Sequence, residues 1–370
     1  MNIVNEQFMH YALFLAKKGI FNTSPNPNVG CVIVKDNKII GEGYHYHAGG
    51  AHAEIIALKK AGNNAVNSIV YITLEPCSHY SKTPPCVNAL INAGIKTIVV
   101  AMQDPNPRVA GRGLLKLREA GIEVIIGMLM DEAKKLNLPF IKRMSTGLPY
   151  VQVKIAVSLD GKTALISDES KWITSGMARQ DVQFFRAQVS AILTTSKTVL
   201  LDNPYLNVRW SNFSSNMQRL YHRRNIRQPI RIILDINNQI EPKHLITKIQ
   251  GECWLIRKHM KKQNWIGSVK QIIIPTDNNY FDLDLLMIKL ANYNINSVLV
   301  ETGSNFTGQL LATGLIDELI IYIAPRVLGS IAKGMFDIPV LKTLKYSPMF
   351  KFVDIKPIGT DLRVILHPLK

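Results

Sequence analysis

One histidine, one glutamate and two cysteines occur in an order that suits a metal-dependent reaction. His52 and Glu54 belong to the motif HAE, and Cys77 and Cys86 flank the polar centre of LEPCSHYSKTPPC. One imidazole and two thiolates leave the fourth position of a tetrahedral zinc ion open to water, which is typical of catalytic sites. We therefore predict that His52, Cys77 and Cys86 bind Zn²⁺. The alternative is a pair of buried cysteines beside a surface histidine.

Glu54 fits proton transfer better than metal binding. Residues three or four apart share a helix face, so Glu54, two positions after His52, should point away from it. In zinc-dependent nucleobase deaminases an H-x-E motif precedes the cysteine ligands, and the glutamate moves protons. We predict the same catalytic role for Glu54. The two cysteines are more widely spaced here than in the P-C-x-x-C pattern of those enzymes.

Alternating helices and strands must position these four residues. Helical spacing in the first twenty residues predicts a helix, and β-branched runs around a DN turn in VGCVIVKDNKIIGEGY predict a hairpin. Helices are predicted in AHAEIIALKKAGN, after PPC and in GLLKLREAG, with strands at SIVYITLEP, KTIVVAMQD and IEVIIG. This order is typical of an α/β sandwich, in which His52 and Cys86 each lie at the start of a helix.

A second α/β unit is predicted after the segment STGLP, residues 145–149. Val151, Val153, Ile155 and Val157 alternate as in a strand. A helix is predicted at MARQDVQFFRAQV, strands at AILTT, IRIILDI and SVLVE, a short helix after GSNFTG, and closing strands at LIIYIAP, FKFVDIK and LRVILHP. We predict two domains with separate roles, residues 1–147 and 148–370.

The segment SVLVETGSNFTG has features of an anion site. Glu301 follows a predicted strand, and Gly303 and Gly308 stand at the opening of the short helix. Glycine allows close backbone approach, and a helix N-terminus offers N–H groups to phosphate. The segment is neither a Walker motif nor a Rossmann fingerprint, and a plain turn explains it equally well.

Composition limits the class of protein. The formal charge is +17, which suits nucleic acid, an anionic membrane or anionic small substrates. No apolar run approaches the ~18 residues of a membrane span. The N-terminus lacks a signal-peptide pattern, and four cysteines are too few for a disulfide framework, so we expect a cytoplasmic protein. The basic run RLYHRRNIR is interpreted as a solvated loop, and Cys31 and Cys253 as core residues.

The motifs together resemble the bifunctional riboflavin-biosynthesis deaminase–reductases. HAE, LEPCSHYSKTPPC and AMQDPNPRVAGRG are similar to the deaminase domain of that family, and KIAVSLDGKTAL, ESKWITS and AILTTSKTVLLDNPYLNVR to its reductase domain. The resemblance implies an N-terminal cytidine-deaminase-like α/β/α sandwich and a C-terminal dihydrofolate-reductase-like α/β domain. It also implies zinc and NADPH as cofactors.

The resemblance further implies two successive reactions. The first is hydrolytic deamination of 2,5-diamino-6-(5-phosphoribosylamino)pyrimidin-4-one. The second is NADPH-dependent reduction of the ribosyl group of 5-amino-6-(5-phosphoribosylamino)uracil to ribityl. The expected binding partner is therefore a phosphorylated aminopyrimidine substrate, and neither nucleic acid nor a membrane is expected. The protein is also expected to form a homo-oligomer.

Carried over by position, the resemblance implies three sets of binding residues. The first substrate would contact Asn26, His45, His79 and Lys82. NADPH would contact Ala156, Trp172, Thr198, Asp202, Gly303, Ser304, Asn305, Phe306, Thr307, Gly308 and Gln309. The second substrate would contact Lys154, Ser170, Arg186, Leu206, Arg209 and Glu301. The forked donors of Arg186 and Arg209 suit its phosphate.

Ordinary structural roles are alternatives for several of these residues. Asn26 and Asp202 could be turn residues, Trp172 a core residue and Arg186 a helix-surface charge. The segment of His79 and Lys82 could be an exposed loop without contacts to substrate.

Two departures from the usual pattern of the family bear on the cofactor site. Thr302 replaces the first glycine of Glu-Gly-Gly, and Thr195-Ser196-Lys197 replaces a glycine-containing loop. These departures leave open a deaminase joined to a non-catalytic module that only stabilises an oligomer. A zinc-dependent editor of RNA is the other alternative, but no RRM or KH signature and no set of base-stacking aromatics is found.

Overall fold

The computed structural model describes residues 4–78, 84–107, 110–277 and 280–369. The chain divides into two units, Met1–Leu148 and Pro149–Lys370. Within the described residues, no helix combines the length and the apolar character needed to cross a bilayer.

The first unit contains a five-stranded sheet in the order β2-β1-β3-β4-β5, in which β3, β4 and β5 are parallel and β1 is antiparallel to both of its neighbours. Its elements are α1 (Glu6–Lys17), β1 (Gly30–Lys35), β2 (Lys38–Tyr44), α2 (Ala53–Ala61), β3 (Ile69–Ile72), α3 (Cys86–Asn92), β4 (Thr97–Val100), α4 (Arg112–Glu119), β5 (Glu123–Ile126), α5 (Met130–Leu136) and α6 (Leu138–Thr146).

Alternate residues of the central strands enter two separate apolar cores. Cys31 and Ile33 of β1 pack with residues of α2 and α3, whereas Val32 and Val34 pack with residues of α1. Successive strand side chains point to opposite faces of a sheet, so this split places helices on both faces. The unit is therefore the α/β/α sandwich that the sequence predicts.

Helix α2 lies directly on the backbone of strand β2. A Cβ atom at Gly41 would be 2.3 Å from the carbonyl oxygen of Ala57, and one at Gly43 would be 2.5 Å from that of Ala53. Only glycine permits so close an approach of helix and strand. The helix that begins after His52 is thus held against the sheet by main-chain atoms.

The second unit contains a nine-stranded sheet in the order β11-β10-β9-β8-β14-β6-β15-β18-β17. Its elements are β6 (Tyr150–Ser158), β7 (Lys162–Ala164), α7 (Gly176–Gln188), β8 (Ala191–Thr195), α8 (Ser196–Asp202), α9 (Ser215–Leu220), β9 (Ile230–Leu234), α10 (Leu245–Lys248), β10 (Cys253–Arg257), β11 (Val269–Ile273), β12 (Thr276–Asp277), β13 (Tyr280–Phe281), α11 (Leu283–Asn292), β14 (Ser297–Val300), α12 (Ser304–Ala312), β15 (Glu318–Ala324), β16 (Lys333–Gly334), β17 (Phe350–Ile358) and β18 (Asp361–Pro368).

Seven strands of this sheet are parallel, from β11 to β15, and β18 and β17 complete one edge with antiparallel pairing. The predicted alternation in β6 is confirmed, since Val151, Val153, Ile155 and Val157 are buried. Lys154 and Ala156 lie between them and line a cleft described below. Thr195 and Glu301 stand where two of the parallel strands, β8 and β14, end.

Two expectations about chain segments need correction. Ser145 and Thr146 belong to α6, which ends before Gly147 in the left-handed conformation (φ 71°), so the segment between the units is shorter than 145–149. Helix α12 begins at Ser304, so Gly308 lies inside the helix and not in a turn before it.

Other expectations agree with the structure. Cys31 and Cys253 are buried strand residues. The basic run is exposed at residues 222–224, as predicted, but it is not wholly a loop, because Arg219 and Leu220 belong to α9 and Arg223–Asn225 form a 3₁₀-helix. Its last residue, Arg227, differs because its guanidinium donates to the carbonyls of Val189, Ser190 and Gln228.

Candidate active sites

Three potential metal ligands converge in the first unit. His52 is the extended N-cap residue of α2, Cys77 follows β3, and Cys86 is the first residue of α3, immediately after Pro85. Their ligand atoms all lie within 4.8 Å of one another. His52 Nδ1 is 3.2 Å from Cys86 Sγ and 3.6 Å from Cys77 Sγ.

This arrangement fits zinc. Usual zinc–nitrogen and zinc–sulfur bond lengths in a tetrahedral site separate the two ligand atoms by roughly 3.5 Å, close to the separations found here. The Cys86 thiol and backbone N–H donate to Cys77 Sγ, and His52 adds a further interaction, so the pKa of the Cys77 thiol falls to about 4. Cys77 is thus a thiolate at neutral pH, which is the form that binds metal.

Glu54 lies beside the three ligands in a buried position. Its side chain is 3% exposed, and burial raises its pKa to about 7. It interacts electrostatically with His52 and hydrogen-bonds with Cys86. The expectation that Glu54 points away from His52 is therefore wrong. His52 precedes the helix with extended backbone, so the helical spacing rule does not separate the two side chains.

Asn26 and His45 form a connected pair near the ligands. Asn26 Nδ2 is 3.0 Å from His45 Nε2, and His45 Nδ1 is 3.0 Å from the Ala51 carbonyl oxygen. This pattern corresponds to a neutral imidazole, and burial lowers the pKa of His45. The His45 and His52 rings meet edge to face at 5.4 Å. His79 and Lys82 lie outside the described residues.

Glu75, two residues before Cys77, binds three backbone N–H groups of a later segment, a role that was not predicted from the sequence. Its buried carboxylate accepts backbone N–H groups of Asp104 at 3.1 Å, Gly111 at 2.9 Å and Gly113 at 2.9 Å. Gly113 is required there, because a Cβ atom would be 2.4 Å from the Pro76 carbonyl oxygen. Two sequence features could have indicated this contact. They are the glutamate directly before Pro76-Cys77 and the glycines of the later motif AMQDPNPRVAGRG.

A second site is a cleft of 1520 Å³ within the second unit. It lies at the carboxyl ends of β8, β9 and β14 and along β6. Carboxyl ends of parallel strands are the usual place for ligands in open α/β sheets. All six residues predicted for the second substrate line the cleft: Lys154, Ser170, Arg186, Leu206, Arg209 and Glu301.

Glu301 is the centre of an ion-pair network in this cleft. Arg186 Nε is 2.6 Å from Glu301 Oε1 and Arg186 Nη2 is 2.9 Å from Oε2, while Lys154 Nζ is 3.4 Å from Oε2. Burial raises the pKa of Glu301, but Arg186 and Lys154 outweigh burial, and the pKa falls to about 2. Arg186 is therefore engaged by an internal carboxylate and is not a free surface charge.

Arg209 lies at an exposed position in the same cleft. Its backbone N–H donates to the side-chain oxygen of Gln183, and this hydrogen bond fixes the position of the Arg209 backbone beside the cleft. Partial burial of the guanidinium, and then the nearby Arg186, lower the pKa of Arg209. Two guanidinium groups close enough to influence each other favour an anionic ligand between or beside them.

Most residues predicted for the cofactor also line the cleft: Ala156, Trp172, Thr198, Asp202, Gly303, Ser304, Asn305, Phe306 and Gln309. Trp172 is 61% exposed and so is not a core residue. The Arg179 guanidinium stacks 4.5 Å from its ring centre. Asp202 ends α8 at a turn, as the alternative supposed, and pairs with Lys171.

Thr307 and Gly308 have a different environment. Thr307 Oγ1 donates to the Met335 carbonyl at 2.7 Å, and a Cβ atom at Gly308 would be 2.1 Å from the Asp337 carbonyl oxygen. Both residues are buried against residues 335–337. Gly303, by contrast, has extended backbone (φ −85°) with open space at its Cβ position, so no neighbouring residue of the described chain requires glycine there.

Comparison with known proteins identifies both units. Residues 3–102 match the cytidine and deoxycytidylate deaminase zinc-binding region, and residues 149–364 match the RibD C-terminal domain. The chain is 52% identical to riboflavin biosynthesis protein RibD of Escherichia coli (strain K12), with 98% of each chain covered.

Solved structures agree over the full length. RibD of Acinetobacter baumannii, form 2, has a TM-score of 0.91 at 42% identity, with 98% of each chain covered. A diaminohydroxyphosphoribosylaminopyrimidine deaminase/5-amino-6-(5-phosphoribosylamino)uracil reductase of Thermotoga maritima has a TM-score of 0.84 at 33% identity, again with 98% of each chain covered. The chain therefore belongs to the RibD family, the bifunctional deaminase/reductases of riboflavin biosynthesis.

Proposed function

We propose that the first unit deaminates 2,5-diamino-6-(5-phosphoribosylamino)pyrimidin-4-one and that the second unit reduces the ribosyl group of the product, 5-amino-6-(5-phosphoribosylamino)uracil, to ribityl. The observation that carries this proposal is the presence of two separate polar sites in one chain. One combines the ligand set His52, Cys77 and Cys86 with buried Glu54. The other is the cleft around Glu301.

In the deaminase site, Glu54 is the catalytic acid and base. A zinc ion held by His52, Cys77 and Cys86 would supply Lewis-acid activation of water. Glu54 accepts one proton from the attacking water and delivers it to the ring nitrogen. It then accepts the proton of the added hydroxyl group and delivers it to the amino group, which departs as ammonia and leaves a carbonyl group on the ring. Asn26 and His45 bind the pyrimidine, and we assign His79 and Lys82 to the same substrate from the family resemblance.

In the reductase site, the residues of the cleft orient substrate and cofactor. NADPH would supply the hydride. Because the forked donors of Arg186 are directed to Glu301, Arg209 is the better candidate for the substrate phosphate, and Arg186 fixes the Glu301 carboxylate. Lys154 and Ser170 offer further donors, and Leu206 supplies an apolar contact. Trp172 offers an exposed ring face to the cofactor.

The basic composition fits phosphorylated small substrates, so no nucleic acid is needed to explain it.

We place the enzyme in the cytoplasm, because two thiolate ligands require reduced cysteines. A homo-oligomer is supported by strand β17, which forms one edge of the large sheet and exposes Phe352, Val353 and Ile355. An exposed apolar edge strand favours pairing with another chain.

A two-stage assay of the full chain tests this function. The aminopyrimidine substrate is added first and ammonia release is measured, and NADPH is added only afterwards. We expect one equivalent of ammonia without NADPH, followed by NADPH oxidation. NADPH oxidation that needs no prior deamination would contradict the order of steps. Absence of NADPH binding would instead favour the second unit as a non-catalytic scaffold.

A further inference from the structure

Asn137 stands between two helices of the first unit, but its side chain does not cap the second of them. The residue follows α5 directly and precedes α6, and it is 2% exposed. Asparagine in such a position usually accepts a backbone N–H group from the first turn of the following helix. Within the described residues, the Asn137 side chain makes no hydrogen bond of this kind. Its amide group is directed instead to a segment 109 residues earlier in the sequence.

Four hydrogen bonds hold Asn28 in place. The Asn28 N–H donates to Asn137 Oδ1 at 2.8 Å, and Asn137 Nδ2 donates to the Asn28 carbonyl at 3.0 Å. Asn28 Nδ2 donates to the Leu136 carbonyl at 3.2 Å, and the Thr23 hydroxyl donates to Asn28 Oδ1 at 2.7 Å. The side chain of Asn137 thus pairs with both backbone groups of Asn28, as a neighbouring strand would. We call these four hydrogen bonds the asparagine clamp.

The asparagine clamp holds one end of the segment SPNPN, residues 24–28. The prolines on both sides of Asn26 have no backbone N–H group, and the N–H of Asn26 donates to the Thr23 carbonyl at 2.7 Å. Proline also restricts the φ angle, so the segment has little freedom to bend between Asn26 and Asn28. A displacement of Asn28 should therefore be transmitted to Asn26.

Asn26 in turn determines the position of the His45 ring. His45 Nδ1 is 3.0 Å from the Ala51 carbonyl oxygen, and His45 Nε2 is 3.0 Å from Asn26 Nδ2. Since a carbonyl oxygen can only accept, Nδ1 is the donor and Nε2 accepts from Asn26. The backbone of His45 is also closely packed, because a Cβ atom at Gly19 would be 2.5 Å from the His45 carbonyl oxygen. The imidazole is therefore held from both ring nitrogens, and one of its two partners depends on the clamp.

We propose that Asn137 is a positioning residue of the deaminase, and that it sets the places of Asn26 and His45 for binding of the pyrimidine. This inference rests on the proposed deaminase function and on the assignment of Asn26 and His45 to that substrate. Asn137 acts through Asn28 and not on the reacting atoms. Its effect on the reaction can still be large, because a misplacement of about 1 Å by a distant substitution can cost roughly 100-fold in rate.

Asn137→Ser is the decisive variant, because serine is an equally good helix N-cap but is too short to pair with both backbone groups of Asn28. Ammonia release by the full chain, measured without NADPH, reports the first unit alone. We expect the KM for the aminopyrimidine to rise about tenfold, kcat to fall by less than about threefold, and zinc content to equal that of wild type. Asn63→Ser, at an exposed position of the same unit, is the matched control and should change none of the three.

A double-mutant cycle shows whether Asn137 acts through Asn26. Asn26→Ala should raise the KM by itself. In that background, Asn137→Ser should raise the KM by less than about twofold further, because changes to residues that share one set of contacts are not additive. A residue that only supported the fold would lower the unfolding temperature of the first unit, measured by calorimetry, without this dependence on Asn26.

Thr23→Val tests the clamp even if Asn137→Ser does not fold. It removes the hydroxyl group that orients the Asn28 side chain, with little change of shape. We expect a smaller rise of the KM, about threefold, with zinc retained. NADPH oxidation with the deaminated substrate should equal that of wild type in every variant, which confirms that the second unit is intact.

The outcomes separate this inference from the function on which it rests. An unchanged KM in folded Asn137→Ser, or in Thr23→Val where Asn137→Ser does not fold, overturns the positioning role while the deaminase function stands. An unchanged KM in Asn26→Ala, or KM changes that multiply in the double variant, also overturns it, because Asn137 would then not act through Asn26. Loss of zinc overturns it as well, since Asn137 would then support the metal ligands. Failure of the wild-type chain to release ammonia overturns the proposed function together with the positioning role.

Discussion

Arg186 and Glu301 form a two-point ion pair in the second unit, with separations of 2.6 Å and 2.9 Å between guanidinium nitrogens and carboxylate oxygens. The side chains are only 11% and 9% exposed. A buried pair of this kind is costly to break, because the remaining partner becomes an uncompensated charge. The pair therefore links the stability of the second unit to its substrate cleft.

We expect the second unit to lose stability in acid through Glu301. Its folded-state pKa of about 2 is below the ordinary value of 4.5, so the carboxylate stabilises the fold above pH 4.5 and this contribution is lost as the pH falls toward 2. Urea unfolding followed by tryptophan fluorescence between pH 7 and pH 3 measures the effect. Glu301→Gln should be destabilised at pH 7 by on the order of 3–5 kcal/mol and respond less to acid. The control is Glu169→Gln at an exposed position, which should respond to pH as wild type does. If the unfolding free energy of Glu301→Gln also varied with pH as in wild type, Glu301 would be excluded as the source of the acid sensitivity.

Cys86→Ser should remove the metal from the first unit. A serine hydroxyl is a poor zinc ligand, so bound zinc should fall well below one per chain and ammonia release should be lost. NADPH oxidation with the deaminated substrate should persist, because the reductase cleft lies in the other unit. Metal analysis checks the first expectation, with Cys31→Ala as control for a buried cysteine outside the ligand set. Full zinc occupancy in Cys86→Ser would refute the ligand assignment.

Glu54→Gln should separate metal binding from chemistry. If Glu54 moves protons and does not bind the ion, the variant should keep its zinc but lose deamination by roughly 100-fold or more. Zinc content and ammonia release are measured on the same preparation. Joint loss of zinc and activity would show instead that Glu54 supports the ligands.

Gly308 and Gly303 should respond differently to the same substitution. A Cβ atom at Gly308 would be 2.1 Å from the Asp337 carbonyl oxygen, so Gly308→Ala should destabilise the second unit by about 1–3 kcal/mol. Gly303→Ala meets open space with extended backbone and should change stability by less than about 0.5 kcal/mol. Urea unfolding followed by tryptophan fluorescence compares them, and equal losses would contradict the packing described here.

Glu75→Gln should destabilise the first unit without removing a ligand. Three backbone N–H groups lose a charged acceptor, and the amide nitrogen cannot accept from them, so we expect a loss of roughly 1.5–3 kcal/mol. Calorimetry of the full chain measures the first unfolding transition. Glu119→Gln on exposed α4 is the control. A transition identical to that of wild type would mean that the hydrogen bonds from Asp104, Gly111 and Gly113 to Glu75 do not contribute to the stability of the first unit.

The metal-ligand residues could be predicted because their side-chain chemistry and their places at helix starts are both readable from the chain. The direction of Glu54 could not, because it depends on the extended backbone of His52 before the helix. Glu75 was missed because two of its three backbone partners lie 36 and 38 residues away. The packing role of Gly308 could not be predicted, because it depends on the Asp337 carbonyl, which lies 29 residues later in the sequence.

The contact of α2 with β2 through Gly41 and Gly43 has a consequence for the metal. His52 immediately precedes α2, whereas Cys77 and Cys86 belong to other segments of the unit. The distance between helix and strand therefore sets how far the imidazole stands from the two sulfur atoms. We expect a larger residue at position 41 or 43 to move α2 away from β2 and to increase the separation between His52 and the two cysteine sulfur atoms. These two glycines contact the backbone of α2 and not the ligand residues, yet they contribute to the geometry of the proposed metal site.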